Sequence, residues 1–441
     1  MDQKMKHTLA DFVTCHQDTS NVYNQKTKMH KRQRTHPIDK LVSSDVKLCI
    51  VSYLPAVDVM TSLLCVSHAW HSLRCSERTC RILYQGLYTL PGRDDISRAI
   101  SQIEAAAFDV KHDEWTWKKR LECRWTAQRH LAMDEFKPIR KVMKPTPASC
   151  GRTWNRRTHD AHIVGGILYG TTCLVDPRRQ VEYSVEKTDV DLRNRTLEST
   201  TPSKRPLGIN IYIQNTLGNP CHAIGETKNE LAIFDTTSSK IIASVPKPWN
   251  ATIDIAQNRI MVRSDVTSPI VEYLDASTLR VDAKCQLPYN IKHESTLIDG
   301  YCYEITRGHI ENLFVISCYD VRTGKSVQST TIHLAEKDYA LMTTTIRHVF
   351  VRGWCQLKVL RRSDLQEIQE IKTSGFCRIH SSPCRTSPII TEYDTQYKWQ
   401  MIGDRLARCS TSNFNVGLIA HDARYVVMQT IMSELVVEDY A

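Results

Sequence analysis

Between residues 231 and 371 one pattern recurs four times: an apolar run, an aspartate, a short polar turn and a second apolar run. The units read LAIFDTTSSKIIASV, VEYLDASTLRVDAKC, VISCYDVRTGKSVQS and LKVLRRSDLQEIQEI, and their aspartates, Asp235, Asp275, Asp320 and Asp364, stand 40, 45 and 44 residues apart. A run upstream repeats as well: RIMVR ends at Arg263 and HVFVR at Arg352, each twelve residues before its aspartate. Short apolar runs rich in Val and Ile and bounded by turn residues predict β-hairpins. The helical stripes that a leucine-rich or helical solenoid needs are missing here.

A period of about 40 to 45 residues with about four short strands per unit is that of a β-propeller blade. Weaker units at Asp176, Asp404 and Asp439 extend the register, and residues 151–441, divided at ~42 per blade, also make about seven. The region resembles WD-repeat propellers in its period and its Asp-turn hairpins, with Gly308-His309 as the Gly-His candidate and no Trp-Asp dipeptide. The last unit has the runs RYVVMQT and ELVVEDY but no room for an outer strand. Because a closed ring leaves no strand edge unpaired, a strand from between Gly151 and Ile167 is expected to pair with the one ending near Asp439.

Upstream the period is helical. Val46, Cys49, Ile50, Tyr53 and Leu54 align on one stripe of a helix opening at the Ser43/Ser44 cap and ended by Pro55. A second helix is expected from the Asp58 cap, with Val59, Leu63 and Val66 on one side, and a third from Ser67, carrying Trp70 and Leu73. Three helices this short bury too little surface to stand alone, so the module needs a partner. The order Leu41, Asp45, Ile50-Val51-Ser52-Tyr53-Leu54-Pro55, Asp58-Val59, Val66-Ser67, Trp70 and Cys80-Arg81-Ile82-Leu83-Tyr84 resembles the F-box, the module by which substrate adaptors dock on the Skp-type linker subunit of cullin-RING ubiquitin ligases. The resemblance covers about a tenth of the chain, with Arg81 where the family commonly has Trp. It implies that Leu41, Ile50, Leu54, Val59, Leu63, Val66 and Trp70 meet the linker subunit.

The expected architecture is thus α+β and multi-domain. Residues 1–36 read as a disordered basic tail, 37–84 as a three-helix F-box, 85–136 as a helical linker, 137–150 as a connector and 151–441 as an all-β propeller of about seven blades. In the linker, Asp94/Asp95 can cap a helix striped by Ile96, Ile100, Ile103 and Ala107. Trp117, Leu121 and Trp125 then recur at i, i+4 and i+8, the signature of a buried seam and of a rigid joint.

Composition excludes several classes. At 441 residues, 41% hydrophobic and 24% charged, the chain is long enough for two or three globular domains. The longest uncharged run, from Pro206 to Gly225, is broken by Asn, Gln, Pro and Gly, and Asp2, Lys4, Lys6 and Asp11 argue against a signal peptide, so no membrane partner is expected. Sixteen cysteines stand singly among apolar residues and never as Cys-x-x-Cys, which reads as buried thiols in a reducing compartment. Cys377, His380 and Cys384 lack a fourth ligand at standard spacing and read as incidental, so no metal or cofactor is expected. The net charge of +10 is partly local to Lys26, Lys28, Lys31, Arg32 and Arg34; no aromatic residues interleave there, and nucleic acid is not an expected partner. The run Lys31-Arg32-Gln33-Arg34 leaves both cytoplasmic and nuclear localisation open.

No Gly-x-Ser-x-Gly, P-loop, dinucleotide fingerprint or His-Glu-x-x-His occurs, and His159, Asp160 and His162 read as a polar loop, so the chain is expected to be non-catalytic. The two resemblances imply the substrate-recognition subunit of a Skp–cullin–F-box ligase, whose partners are the Skp-type linker, cullin and a protein substrate. An excess of Arg on the propeller, among Arg178, Arg179, Arg263, Arg352, Arg361 and Arg362, would suit an acidic or phosphorylated ligand. No substrate-binding residue is assigned. The other reading is a propeller scaffold for protein–protein interaction outside any ligase.

Overall fold

The computed structural model describes residues 43–54, 56–62, 68–73, 76–88, 94–132, 138–143, 155–175, 182–193, 210–212, 222–226, 229–235, 240–248, 251–256, 259–264, 270–286, 295–335, 340–373, 375, 377–380, 388–392, 397–402, 404–410, 416–430 and 434–441. They fall into two compact units, Met1–Leu87 with Thr116–Leu121, and Tyr88–Trp115 with Glu122–Ala441.

Among the described residues before 89 there are four helices, where three were expected. They are α1 (Ser44–Tyr53), α2 (Ala56–Thr61), α3 (His68–Leu73) and α4 (Glu77–Tyr88). The α1 start is as read: the Ser43 side chain accepts from the Val46 amide, and Asp45 sits in the first turn, where the helix dipole favours an anion. Helix α2 opens at Ala56, two residues before the expected Asp58 cap, and so places Asp58 inside its first turn. Its close approach to α4 requires Gly86, since a Cβ there would stand 3.0 Å from the Cβ of Ala56. Glu77 at the head of α4 caps a further helix, α6 (Trp117–Ala132): its carboxylate accepts from the Trp117 and Lys118 amides at 2.7 and 3.3 Å. Tyr84 meets the Trp117 ring edge-on at 5.6 Å.

The second unit is a β-propeller. Twenty-seven strands are described, and apart from β1 (Ile139–Met143) they follow one another as up-and-down antiparallel sheets. Sheet I is β2 (Asn155–Val164), β3 (Ile167–Val175) and β4 (Glu182–Asp191); sheet II is β5–β8 (residues 210–246), III is β9–β12 (252–286), IV is β13–β16 (295–333), V is β17–β20 (341–372) and VI is β21–β24 (377–410). Sheet VII joins β25 (Val416–His421), β26 (Tyr425–Thr430) and β27 (Leu435–Asp439) to β1. The described strands therefore make six complete four-stranded blades and one three-stranded sheet, against an expectation of about seven blades. First strands lie side by side, β9 against β13, β13 against β17 and β21 against β25, and β2 against β25 brings the two ends of the array together.

The ring closes as strand-edge pairing demands, but with a different segment. The closing strand is β1, running from Ile139 opposite Asp439 to Met143 opposite Leu435, within the stretch read as a connector. The stretch from Gly151 to Ile167 supplies the first strand of its own sheet instead, and Ala161, Ile163 and Leu168 pack with Tyr425, Val427 and Val437 across the closure. His159 and His162 lie in β2 on either side of a register shift, not in a loop. Helix α5 (Asp94–Ala107) and the part of α6 from Glu122 onward belong to this unit. They are held by Ala105, Phe108, Trp115, Ala127 and Leu131 against Ile389, Val426 and Tyr440, and by the buried Arg124–Glu104 pair at 3.1 Å.

The turn aspartates hold the repeat. Asp275 accepts from the Ser277 and Thr278 amides, both at 3.0 Å, and Asp320 from those of Arg322 and Thr323 at 2.8 and 3.0 Å, the side-chain bonding that makes Asp a turn former. Each turn then needs a left-handed residue four positions on, Leu279 at φ 56° and Gly324 at φ 66°. One anchor of the sequence register shifts by this criterion. In sheet V the left-handed residue is Leu365, whose amide bonds the Arg361 carbonyl, so Arg361 and not Asp364 holds the equivalent place. In sheet I Asp191, opposite Ile167, accepts from the Arg193 amide at 3.0 Å, and Asp176 lies outside the described residues.

Candidate partner-docking surface

Helix α1 divides its side chains sharply. Val51 is 2% exposed and Lys47, whose ammonium lies 5.9 Å from the Trp70 ring centroid, is 7% exposed. On the other side Val46, Ile50 and Leu54, spaced at i, i+4 and i+8, are 50%, 37% and 41% exposed, with Cys49 exposed beside them. Three branched apolar side chains in one exposed row are a surface that gains by being covered, at roughly 1.5 to 3 kcal/mol for each one fully buried. Nothing in the helix's own capping or packing calls for them.

Of the seven residues expected to meet a linker subunit, Ile50 and Leu54 lie on this row. Val59, fully buried, and Trp70, 9% exposed, are interior to the helical unit, because helices of six residues can only be held by packing on one another. Leu41, Leu63 and Val66 lie outside the described residues. Val46 and Cys49 join the row although only the helical stripe, and not the family order, pointed to them.

The four candidate arginines that are described are each engaged within the chain. Arg263 and Glu304, 2% and 1% exposed, pair at 2.6 Å across sheets III and IV. Burial raises the Glu304 carboxyl to about 7, against the pull of Arg263. Arg352 donates to the Cys377 carbonyl, Arg361 pairs with Asp364 at 2.7 Å, and the buried Arg362 pairs with Asp299 at 3.2 Å. Arg178 and Arg179 lie outside the described residues. At the VI–VII boundary His421 is buried and His380 half-buried, with the His380 carbonyl 2.8 Å from His421 Nε2. Burial, reinforced by His421, lowers His380 to about 3.

Cys377 is buried and its thiol is raised to about 11 by burial, the opposite of what a metal thiolate needs. Among the described residues no group of three His, Cys, Asp or Glu side chains is placed to hold a metal ion. Among them, too, no helix is long and apolar enough to cross a membrane.

No protein-family model and no curated sequence matches the chain. Among solved structures it is similar to Kluyveromyces lactis Hsv2, at 9% identity and a TM-score of 0.40, over 60% of this chain and 86% of that one. It is also similar to a chain of a mitotic checkpoint complex, at 8% identity and a TM-score of 0.44, over 70% of this chain and 97% of that one. The sheet order and the β1–β27 closure are what make the chain a β-propeller protein with a separate helical unit.

Proposed function

We propose that the chain is a substrate-recognition subunit of a Skp–cullin–F-box ubiquitin ligase: the helical unit docks on the Skp-type linker subunit, and the propeller holds a protein target. The observation that carries the reading is the exposed row Val46, Ile50, Leu54 on a capped helix whose other side is buried, in the stretch whose residue order resembles the F-box. On this reading the chain catalyses nothing itself and uses no cofactor. It raises the effective concentration of the target beside the ubiquitin-carrying enzyme, and it works in the cytoplasm, the nucleus or both.

The test is Leu54→Asp. Since Leu54 is 41% exposed, the substitution leaves the chain folded, with an unchanged thermal transition, and abolishes co-purification with the Skp-type linker and cullin, because burying a charge in an apolar contact costs several kcal/mol. Retained binding by Leu54→Asp, or no binding by the unmodified chain, contradicts the reading. In the latter case the propeller is an interaction scaffold outside any ligase.

A further inference from the structure

Where the later turns of α6 pack on sheets VI and VII, a small cavity lies between the helix and the β25–β26 turn, and every residue lining it belongs to the second unit. Two acceptors of its lining have no hydrogen-bond partner among the described residues. One is Oε1 of Gln400 in β23, a residue only 6% exposed. The other is Oδ2 of Asp422 in the turn, an atom that solvent does not reach, although the Oδ1 of the same carboxylate accepts from the Arg424 and Tyr425 amides at 2.7 Å each. A buried acceptor without a donor carries its whole desolvation penalty, so two of them in one cavity call for a donor.

Turn carboxylates at two other blade boundaries are met directly by side chains. Asp299 pairs with Arg362 at 3.2 Å, and Asp404 meets His348 at 2.9 Å and Arg347 at 3.1 Å. At Asp422 the neighbouring cations are directed elsewhere: Arg424 makes two bonds to Asp439, at 2.7 and 2.8 Å, and Arg124 pairs with Glu104 at 3.1 Å. Size and charge then select the occupant. The cavity has room of about 20 Å³, where one water requires about 10 to 15 Å³ and two to four polar partners. A water brings two O–H donors, one for each acceptor, whereas a metal cation would stand in the fields of Arg124 and Arg424, both of which act on Asp422. We propose that this cavity is a binding site for a single water molecule, which donates to Gln400 Oε1 and Asp422 Oδ2 and so ties sheet VI to sheet VII beneath α6. Gln128 fixes the helix over the site, its Nε2 donating to the Met401 carbonyl and its Oε1 accepting from the Tyr88 hydroxyl at 2.9 Å. The site is independent of any partner the helical unit or the propeller takes.

Two measurements on the full chain test it: a crystal structure of the parent that resolves ordered water, and urea unfolding of Gln400→Met, a swap of similar volume that removes the acceptor. The expected results are one water peak at about 2.5 to 3.0 Å from both oxygen atoms, and a lower urea midpoint with unchanged slope for the variant, whose water is left one acceptor short. A structure with no peak there, or with an ion or an additive in its place, overturns the assignment. So does a raised midpoint for Gln400→Met, the result expected from removing an acceptor that has no donor. If the variant fails to fold, the parent's structure decides alone. Neither measurement involves a linker subunit or a target, so failure here and failure of the ligase reading are separate results.

Discussion

Arg263 and Glu304 join two blades by a bond that water does not reach, which makes the pair a hinge point of stability at the residue scale. Removing one partner strands the other as a buried charge, so Arg263→Ala should cost about 3 to 5 kcal/mol in denaturant unfolding, whereas a hydrophobic replacement of both should cost far less. His380 gives the pH dependence. Its folded-state value, about 3, lies below the ordinary 6.5, so its contribution is complete above pH 6.5 and is lost as pH falls toward 3. Within that window stability should fall by roughly 1.4 kcal/mol per pH unit from this group. Asp422, half-buried and raised to about 6 by desolvation of its carboxylate, works in the opposite sense. The informative measurement is therefore the difference between the parent and His380→Gln, which should be flat above pH 6.5 and favour the variant below it; equal slopes at pH 5 would contradict the assignment.

At the scale of elements, β1 is the part that holds the ring shut. A chain beginning at Gly151 lacks it and leaves β27 as an open edge, and removing residues 432–441 takes away the strand lying between β1 and β26. Either truncation should cause loss of the whole β unit in limited proteolysis and circular dichroism, and fraying confined to residues after 416 would contradict this. The blades themselves were legible from the sequence because the hairpin pattern is local: RIMVR and HVFVR are β10 and β18. What was not legible needed a partner far along the chain. Residues 139–143, reading IRKVM, carry no turn signal and alternate no better than a linker, and only pairing with Leu435–Asp439 makes them a strand. Asp364 misled for a related reason, since it sits in the turn three residues past Arg361, close enough to keep the period and wrong in register. In the helical unit the α1 stripe was visible at i, i+4 and i+8. Which of the seven candidate residues faced outward depended on packing among helices of six residues, which no stripe can foretell.

At the scale of the whole molecule, helix α1 leaves a row of apolar side chains bare, as expected of a chain that offers this surface to another protein. The central claim is that this bare row is covered by the Skp-type linker subunit. Hydrogen–deuterium exchange of the full chain, with and without that subunit, tests it directly. The account predicts slowed exchange across Ser44–Leu54, with the amides of sheets II–VI unchanged. No change in α1 on adding a linker subunit that is itself folded and competent to bind cullin, or protection confined to the propeller, would contradict it.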